Sequence, residues 1–273
     1  MRMHEWLSPL FLSLFIALAW LRPLTRRQRA AATVVGLCGI VAAILIPMAQ
    51  QALFPQLAIL RDLLPAPLMV LAYRQTGFLL GASNERLQAR LETVDRKLFG
   101  DISGDGTGRQ GGNWVRGYLE GTYLFCYLMI PLGVCVLYLL KMPLYVGQYW
   151  MVVLSASYLC YVSTVFFQTM PPRVLLRDPY FGARPNKIRV LNLFIIRRAS
   201  IGWNSFPSSH VAGSVAAGLA LLRFAPVAGV IFLWLSLSIA VGAVAGRYHY
   251  ALDAFTGAAL AATMYVLVTC CYG

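Results

Sequence analysis

The chain has 273 residues, 59% of them hydrophobic and only 12% charged, with a formal charge of +13 from 23 Lys and Arg against 10 Asp and Glu. Soluble domains carry about twice that charge density, so a soluble globular protein is excluded and the backbone must satisfy itself in lipid as helices or a closed barrel. The apolar runs are continuous rather than alternating, which excludes the barrel, and the cations lie in short loops between them, which points to lipid headgroups or phosphate substrates and away from nucleic acid.

Residues 6–21 form a brief apolar run followed by Arg22, Arg26, Arg27 and Arg29. No small-residue cleavage site follows, so the run reads as a retained anchor rather than a signal peptide. Residues 31–49 are long enough to span. The stretch 51–82 is ambiguous, because Arg61, Asp62, Pro55, Pro65 and Pro67 interrupt it: it either spans or re-enters. Ser83–Phe99 places Leu87, Leu91, Val94 and Leu98 at helical spacing with charge elsewhere, the pattern of an interfacial helix. Residues 100–112 are glycine-rich. Asp101, Ser103, Asp105 and Gly106 copy the opening of a calcium loop, but Gly112 stands where such a loop ends in Glu, so a plain loop is the better reading.

Further spans are expected at 117–140, 145–167, 226–246 and 250–271, with a shorter apolar helix at 210–224 bounded by Pro207 and Pro226. The six cysteines (Cys38, Cys126, Cys135, Cys160, Cys270, Cys271) sit in apolar runs without metal-ligand spacing and read as small hydrophobes. The whole is an all-α, polytopic integral membrane bundle.

Chemistry gathers in the last hundred residues. The loop from 168 to 206 carries Arg173, Arg177, Arg184, Lys187, Arg189, Arg197 and Arg198 against the single acid Asp178. On charge alone this is a loop obeying the positive-inside rule. It ends, however, in Asn204-Ser205-Phe206-Pro207-Ser208-Ser209-His210, a turn-forming string that opens an apolar helix, and helix starts hold anions. Of the other histidines, His4 reads as peripheral, while His249 lies four residues before Asp253, which on a helix stacks the two on one face. Such a pair can merely lock two helices together. Parity argues for a site instead: 210–224 leaves one membrane face and 226–246 returns to it, so His210, Arg247, His249, Asp253 and the basic loop converge there. Two His and one Asp could hold a metal, but the surrounding arginines repel cations and attract phosphate.

These residues resemble the type 2 phosphatidic acid phosphatase superfamily, which also includes inositol phosphorylceramide synthases, sphingomyelin synthases and vanadium haloperoxidases. The family pattern K-x6-R-P, P-S-G-H and S-R-x5-H-x3-D is similar to Arg177-x6-Arg184-Pro185, Pro207-Ser208-Ser209-His210 and His249-x3-Asp253. Arg177 replaces Lys, Ser209 replaces Gly, and Ala243 stands where the family has Arg, with Arg247 about one helical turn further on. His249-Tyr250-x-x-Asp253, Gly257 and Thr169-Met170-Pro171-Pro172-Arg173 look more like the branch of inositol phosphorylceramide and sphingomyelin synthases.

The resemblance implies a six-helix catalytic core over 63–273, with an interfacial helix and glycine-rich loop at 83–113, behind an N-terminal transmembrane extension over 1–62. It implies a membrane phosphoesterase or phosphotransferase acting on a lipid phosphate or phospholipid. His249 would be the nucleophile, Asp253 its brace and His210 the acid and base. Arg173, Arg177, Arg184, Arg247, Ser208 and Ser209 would cradle the phosphate. No metal or cofactor is required, and vanadate is expected to mimic pentavalent phosphorus and inhibit. Membrane lipids are the expected partners. A transporter lined by buried polar residues, or a protein with a degenerate site, are the rival readings. If 51–82 spans, the site shares its side with Arg22–Arg29, cytoplasmic by the positive-inside rule; if it re-enters, the site faces outward, where the family resemblance also leans.

Overall fold

The computed structural model describes residues 2–99, 113–175, 187–203 and 206–272, and every regular element among them is helical. A 3-10 turn at Met3–Trp6 enters α1 (Leu7–Leu21), and α2 (Arg26–Leu53) runs back beside it. Thr25 caps α2: its hydroxyl accepts from the Gln28 N–H while the Gln28 side chain accepts from the Thr25 N–H. His4 is buried at 2% exposure, which corrects its reading as peripheral; the 3-10 turn folds onto the start of the helix Val146–Phe166, beside Gly147.

The ambiguous stretch resolves into a broken span. A 3-10 turn (Pro55–Leu57), α3 (Ala58–Leu63) and α4 (Pro65–Gly77) follow end to end, and Pro55–Gly77 is long and apolar enough to cross a membrane. Pro65 sits in the first turn of α4, where its missing N–H costs nothing. The charges that interrupted the run are neutralised in place. Arg61 forks onto Glu5 at 2.5 and 2.8 Å, Asp62 accepts from Arg2 and from the Tyr138 hydroxyl, and Trp150 donates to the Asp62 carbonyl.

Next is α5 (Glu85–Phe99), amphipathic as expected, with Leu91 and Asp95 buried and Arg86, Arg90 and Lys97 exposed. The glycine-rich stretch lies outside the described residues. Two long helices follow, α6 (Asn113–Leu139) and α7 (Val146–Phe166), then the four-residue α8 (Pro172–Leu175) and α9 (Lys187–Ala199). The basic loop was expected to be irregular; α9 is instead a regular amphipathic helix whose inner face buries Arg189, Asn192 and Ile196. The chain ends with α10 (Ser209–Phe224), α11 (Pro226–Ala245) and α12 (Ala251–Tyr272).

Among the described residues seven helical stretches are long and apolar enough to span a membrane, and α10 is a shorter apolar helix. Packing explains why α10 can be short. It presents Ala212, Gly213, Ala216, Ala217 and Ala220 to neighbours on all sides, and small residues let backbones approach closely. Gly229 of α11 lies so near α10 that an added Cβ would meet the Leu222 backbone at 2.3 Å. α7 is the central column, burying Tyr149, Trp150 and Tyr158 completely, and Leu12, Phe15, Ala19 and Ala32 of α1 and α2 share its apolar core. Alternation of the spans sets two ends. The far end holds residues 2–5, 54–64, 139–146 and 223–226; the site end holds 21–29, 74–99, 166–175, 187–203, 206–210 and 245–253.

Candidate active site

The site end is organised by how α11 stops. Its last turn closes with the Tyr248 N–H donating to the Ala243 carbonyl at 2.8 Å and the Arg247 N–H donating to Val244 at 3.0 Å, the paired pattern of a Schellman cap. Arg247 occupies the left-handed position of that cap with φ 58°, where glycine is usual, so a bulky residue is held in an unfavourable backbone state. Because α11 ends at Ala245, the projection of Arg247 onto the same helix face as position 243 does not apply. It is buried at the turn, its carbonyl accepting from the Arg173 N–H at 3.1 Å.

The turn delivers His249 beside Asp253. His249 precedes α12 rather than belonging to it, yet its Nδ1 still lies 3.5 Å from Asp253 Oδ2. The same carboxylate oxygen accepts from the Tyr250 N–H at 2.9 Å, which fixes the acid in the first turn of α12. Asp253 is fully buried. Burial, and after it the positive charge of Arg173, pushes the His249 imidazole down to about 3, so it is neutral at pH 7. A neutral imidazole is the nucleophilic form.

His210 enters from the first turn of α10. Ser208 caps that helix, accepting from the Val211 N–H, and the Ser208 N–H donates to the Asp253 carbonyl at 3.0 Å, tying the start of α10 to α12. Gly257 permits this: a Cβ there would meet the Ser208 carbonyl oxygen at 2.5 Å. The His210 and His249 ring centroids are 5.6 Å apart. Around His210 stand Tyr123 at 5.7 Å and Tyr127, edge-on, at 5.3 Å. His210 Nδ1 is buried without a hydrogen bond.

Both imidazoles border one partly open cleft, lined also by Tyr73, Tyr123, Tyr127, Arg173, Ile196, Ser200, Trp203 and Tyr248. Arg173 is held over the Tyr248 ring at 5.6 Å and donates to the Tyr248 carbonyl at 3.3 Å. The structure therefore brings together His210, His249, Asp253 and Arg173. Ser208, Ser209 and Arg247 are buried and are not among the residues lining the cleft, and Arg177 and Arg184 lie outside the described residues. Among the described residues no group of three or more His, Cys, Asp and Glu is gathered as a metal-binding set.

The aromatic lining and Glu120 escaped sequence reasoning. Tyr123, Tyr127 and Glu120 sit within the apolar run of α6, more than eighty residues from His210, and only folding reveals which face they present. One local signal existed: an acid two turns inside a span needs a partner.

Comparison with curated proteins and with solved structures returned no match. The family model of the PAP2 superfamily matches residues 89–267, which run from α5 through α12 and contain both histidines. The chain thus belongs to the PAP2 superfamily, helical membrane proteins of the lipid phosphatase and phosphotransferase type.

Proposed function

We propose that this protein transfers a phosphoryl or phosphodiester group from a phospholipid or lipid phosphate through a phosphohistidine at His249, without a metal. The observation that carries the reading is the pair of imidazoles 5.6 Å apart over a cleft bordered by Arg173, one of them backed by Asp253. With Nδ1 turned to the carboxylate, Nε2 of His249 attacks phosphorus, and the P–O bond to the leaving group breaks as His210, protonated once the anionic phosphate is bound beside it, gives that oxygen its proton. Asp253 stabilises the imidazolium that forms. Water or a lipid hydroxyl then surrenders a proton to His210 and attacks phosphorus, breaking the P–N bond and restoring both histidines. Arg173, which borders the cleft, offsets charge on the equatorial oxygens. Water as acceptor gives a phosphatase; a lipid alcohol gives a headgroup transferase of the inositol phosphorylceramide or sphingomyelin synthase kind.

Charge distribution supports a cytoplasmic site. Arg2, Arg61, Lys141 and Arg223 are the described cations of the far end, and Arg2 and Arg61 are engaged in ion pairs; every other described Lys or Arg lies at the site end. Arg22, Arg26, Arg27 and Arg29 contribute to this bias without bordering the cleft. A cysteine placed at Arg86, in a chain with its native cysteines replaced, should resist a membrane-impermeant maleimide in intact cells, whereas one at Lys141 should react. The reverse pattern places the site outside.

The reaction itself is tested by mass spectrometry of products from labelled phospholipid, with and without ceramide or diacylglycerol. Headgroup release or transfer that vanadate inhibits competitively is the expected result. No headgroup chemistry under any acceptor, and indifference to vanadate, would favour a transporter.

A further inference from the structure

Glu120 takes no part in the chemistry above, yet its carboxylate is saturated. It lies two turns into α6 at 7% exposure, and three side chains converge on it. Arg189 Nη1 donates to Oε1 at 2.6 Å, while Asn192 Nδ2 at 2.7 Å and the Tyr248 hydroxyl at 2.6 Å both donate to Oε2. Asn192 donates in addition to the Glu120 carbonyl at 2.8 Å. Arg189 and Asn192 are three apart on α9 and share its inner face. One carboxylate therefore joins α6, α9 and the turn that carries His249.

Burying an ion pair in this way adds little net stability, because desolvation of the two charges offsets most of their attraction. Its geometric effect is larger. Tyr248, the residue between Arg247 and His249, is pinned at every polar atom and along its ring. Its N–H donates to Ala243, its carbonyl accepts from Arg173 Nη1, its hydroxyl donates to Glu120, and its ring stacks on Tyr123 at 4.0 Å and 4°. The guanidinium of Arg189 lies 5.6 Å from the same ring centroid and also reaches the Gly246 carbonyl at 3.4 Å. Losing the anchor at the hydroxyl would free the Tyr248 residue as a whole to shift, and with it the adjoining His249 backbone and the carbonyl that accepts from Arg173.

We infer that Glu120 is a positioning residue for phosphoryl transfer: through the Tyr248 hydroxyl it fixes where His249 and Arg173 meet the phosphate. This rests on the proposed reaction but assigns a role outside its reacting groups. It also takes Arg189 out of the set of cations offered to substrate, since its charge is spent on a buried carboxylate.

The experiment measures turnover of labelled phospholipid in detergent for the wild type, Glu120→Gln, Tyr248→Phe and the double variant, with a melting curve for each. Each single substitution is expected to lower kcat about 10- to 100-fold with KM within about twofold, because misplacement by about 1 Å costs on the order of 100-fold while the binding groups remain. The double variant should be no slower than the slower single, since both substitutions cut one link. Tyr248→Phe keeps the ring stack, so it answers the question even if Glu120→Gln does not fold. A merely structural role would lower melting temperatures and leave kcat per folded molecule unchanged, and that result overturns the inference. A folded wild type without turnover strikes the phosphotransfer reading itself; an active wild type alongside Tyr248→Phe at unchanged kcat strikes only the role of Glu120.

Discussion

The two ends of the bundle both bury charge, and they do so differently. At the far end Arg2, Tyr138 and the Trp150 indole close on Asp62, and Arg61 forks onto Glu5, so each acid faces a donor across a helix boundary. At the site end Glu120 is saturated in the same manner, but beside it His210 Nδ1 is buried with no hydrogen bond, and His249 Nδ1 stands 3.5 Å from its acid. Buried polar atoms are paired in the great majority of folded proteins, so each exception calls for an explanation, a catalytic role among them. The contrast separates the charges that hold helices together from the groups that the proposed reaction uses.

Substitutions can break or sharpen that contrast. The largest effect is expected from His249→Ala, which should bring headgroup turnover to background while the detergent-solubilised protein still elutes as a folded species, because the nucleophile is gone and the packing is not. Arg173→Ala comes next, lowering kcat about 10²-fold, the scale of losing one donor to a developing oxyanion, by the same assay. At the far end the expectation inverts. Asp62→Ala should cost about 1–3 kcal/mol of stability, read as a lower melting temperature, with kcat unaltered. Loss of turnover there at full stability would erase the distinction between the two ends.

The smallest effect concerns Asp95 of α5, which accepts from the Ala251 N–H at the start of α12. Burial, helped by the negative charge of Asp253, raises its carboxyl from the ordinary 3.8 to about 6, against the opposing pull of that N–H. The folded protein therefore keeps a proton between those values that the unfolded chain has released. Stability from this group is present at the acid side of the window and fades as pH rises through about 6. Asp95→Asn should flatten that part of the melting-temperature profile between pH 4.5 and 7; an unchanged profile would deny Asp95 its buried contact.

The sequence carried the spans well, because a bilayer demands about twenty apolar residues in a row and 31–49, 117–140 and 226–246 satisfy that locally. It also carried the histidines, since a Pro-Ser-Ser-His helix start and a His-x3-Asp spacing are local patterns. What it concealed was long-range. The Arg61–Asp62 break looked hostile to a span until Glu5, Arg2 and Tyr138 arrived from distant segments. The face of α9 that buries Arg189 was hidden inside a run of cations read as a loop. Arg247 was placed on a helix that stops two residues earlier, because a left-handed arginine at a helix end leaves no signature where glycine is the rule.

The central claim is a covalent bond between phosphorus and His249. Rapid quenching of the working enzyme under alkaline conditions, followed by peptide mass spectrometry, should find a phosphoryl or phosphodiester adduct on the His249 peptide that disappears in His249→Ala and on chase with water or a lipid alcohol. Full turnover with no adduct on that peptide, or an adduct on His210 instead, would contradict the account.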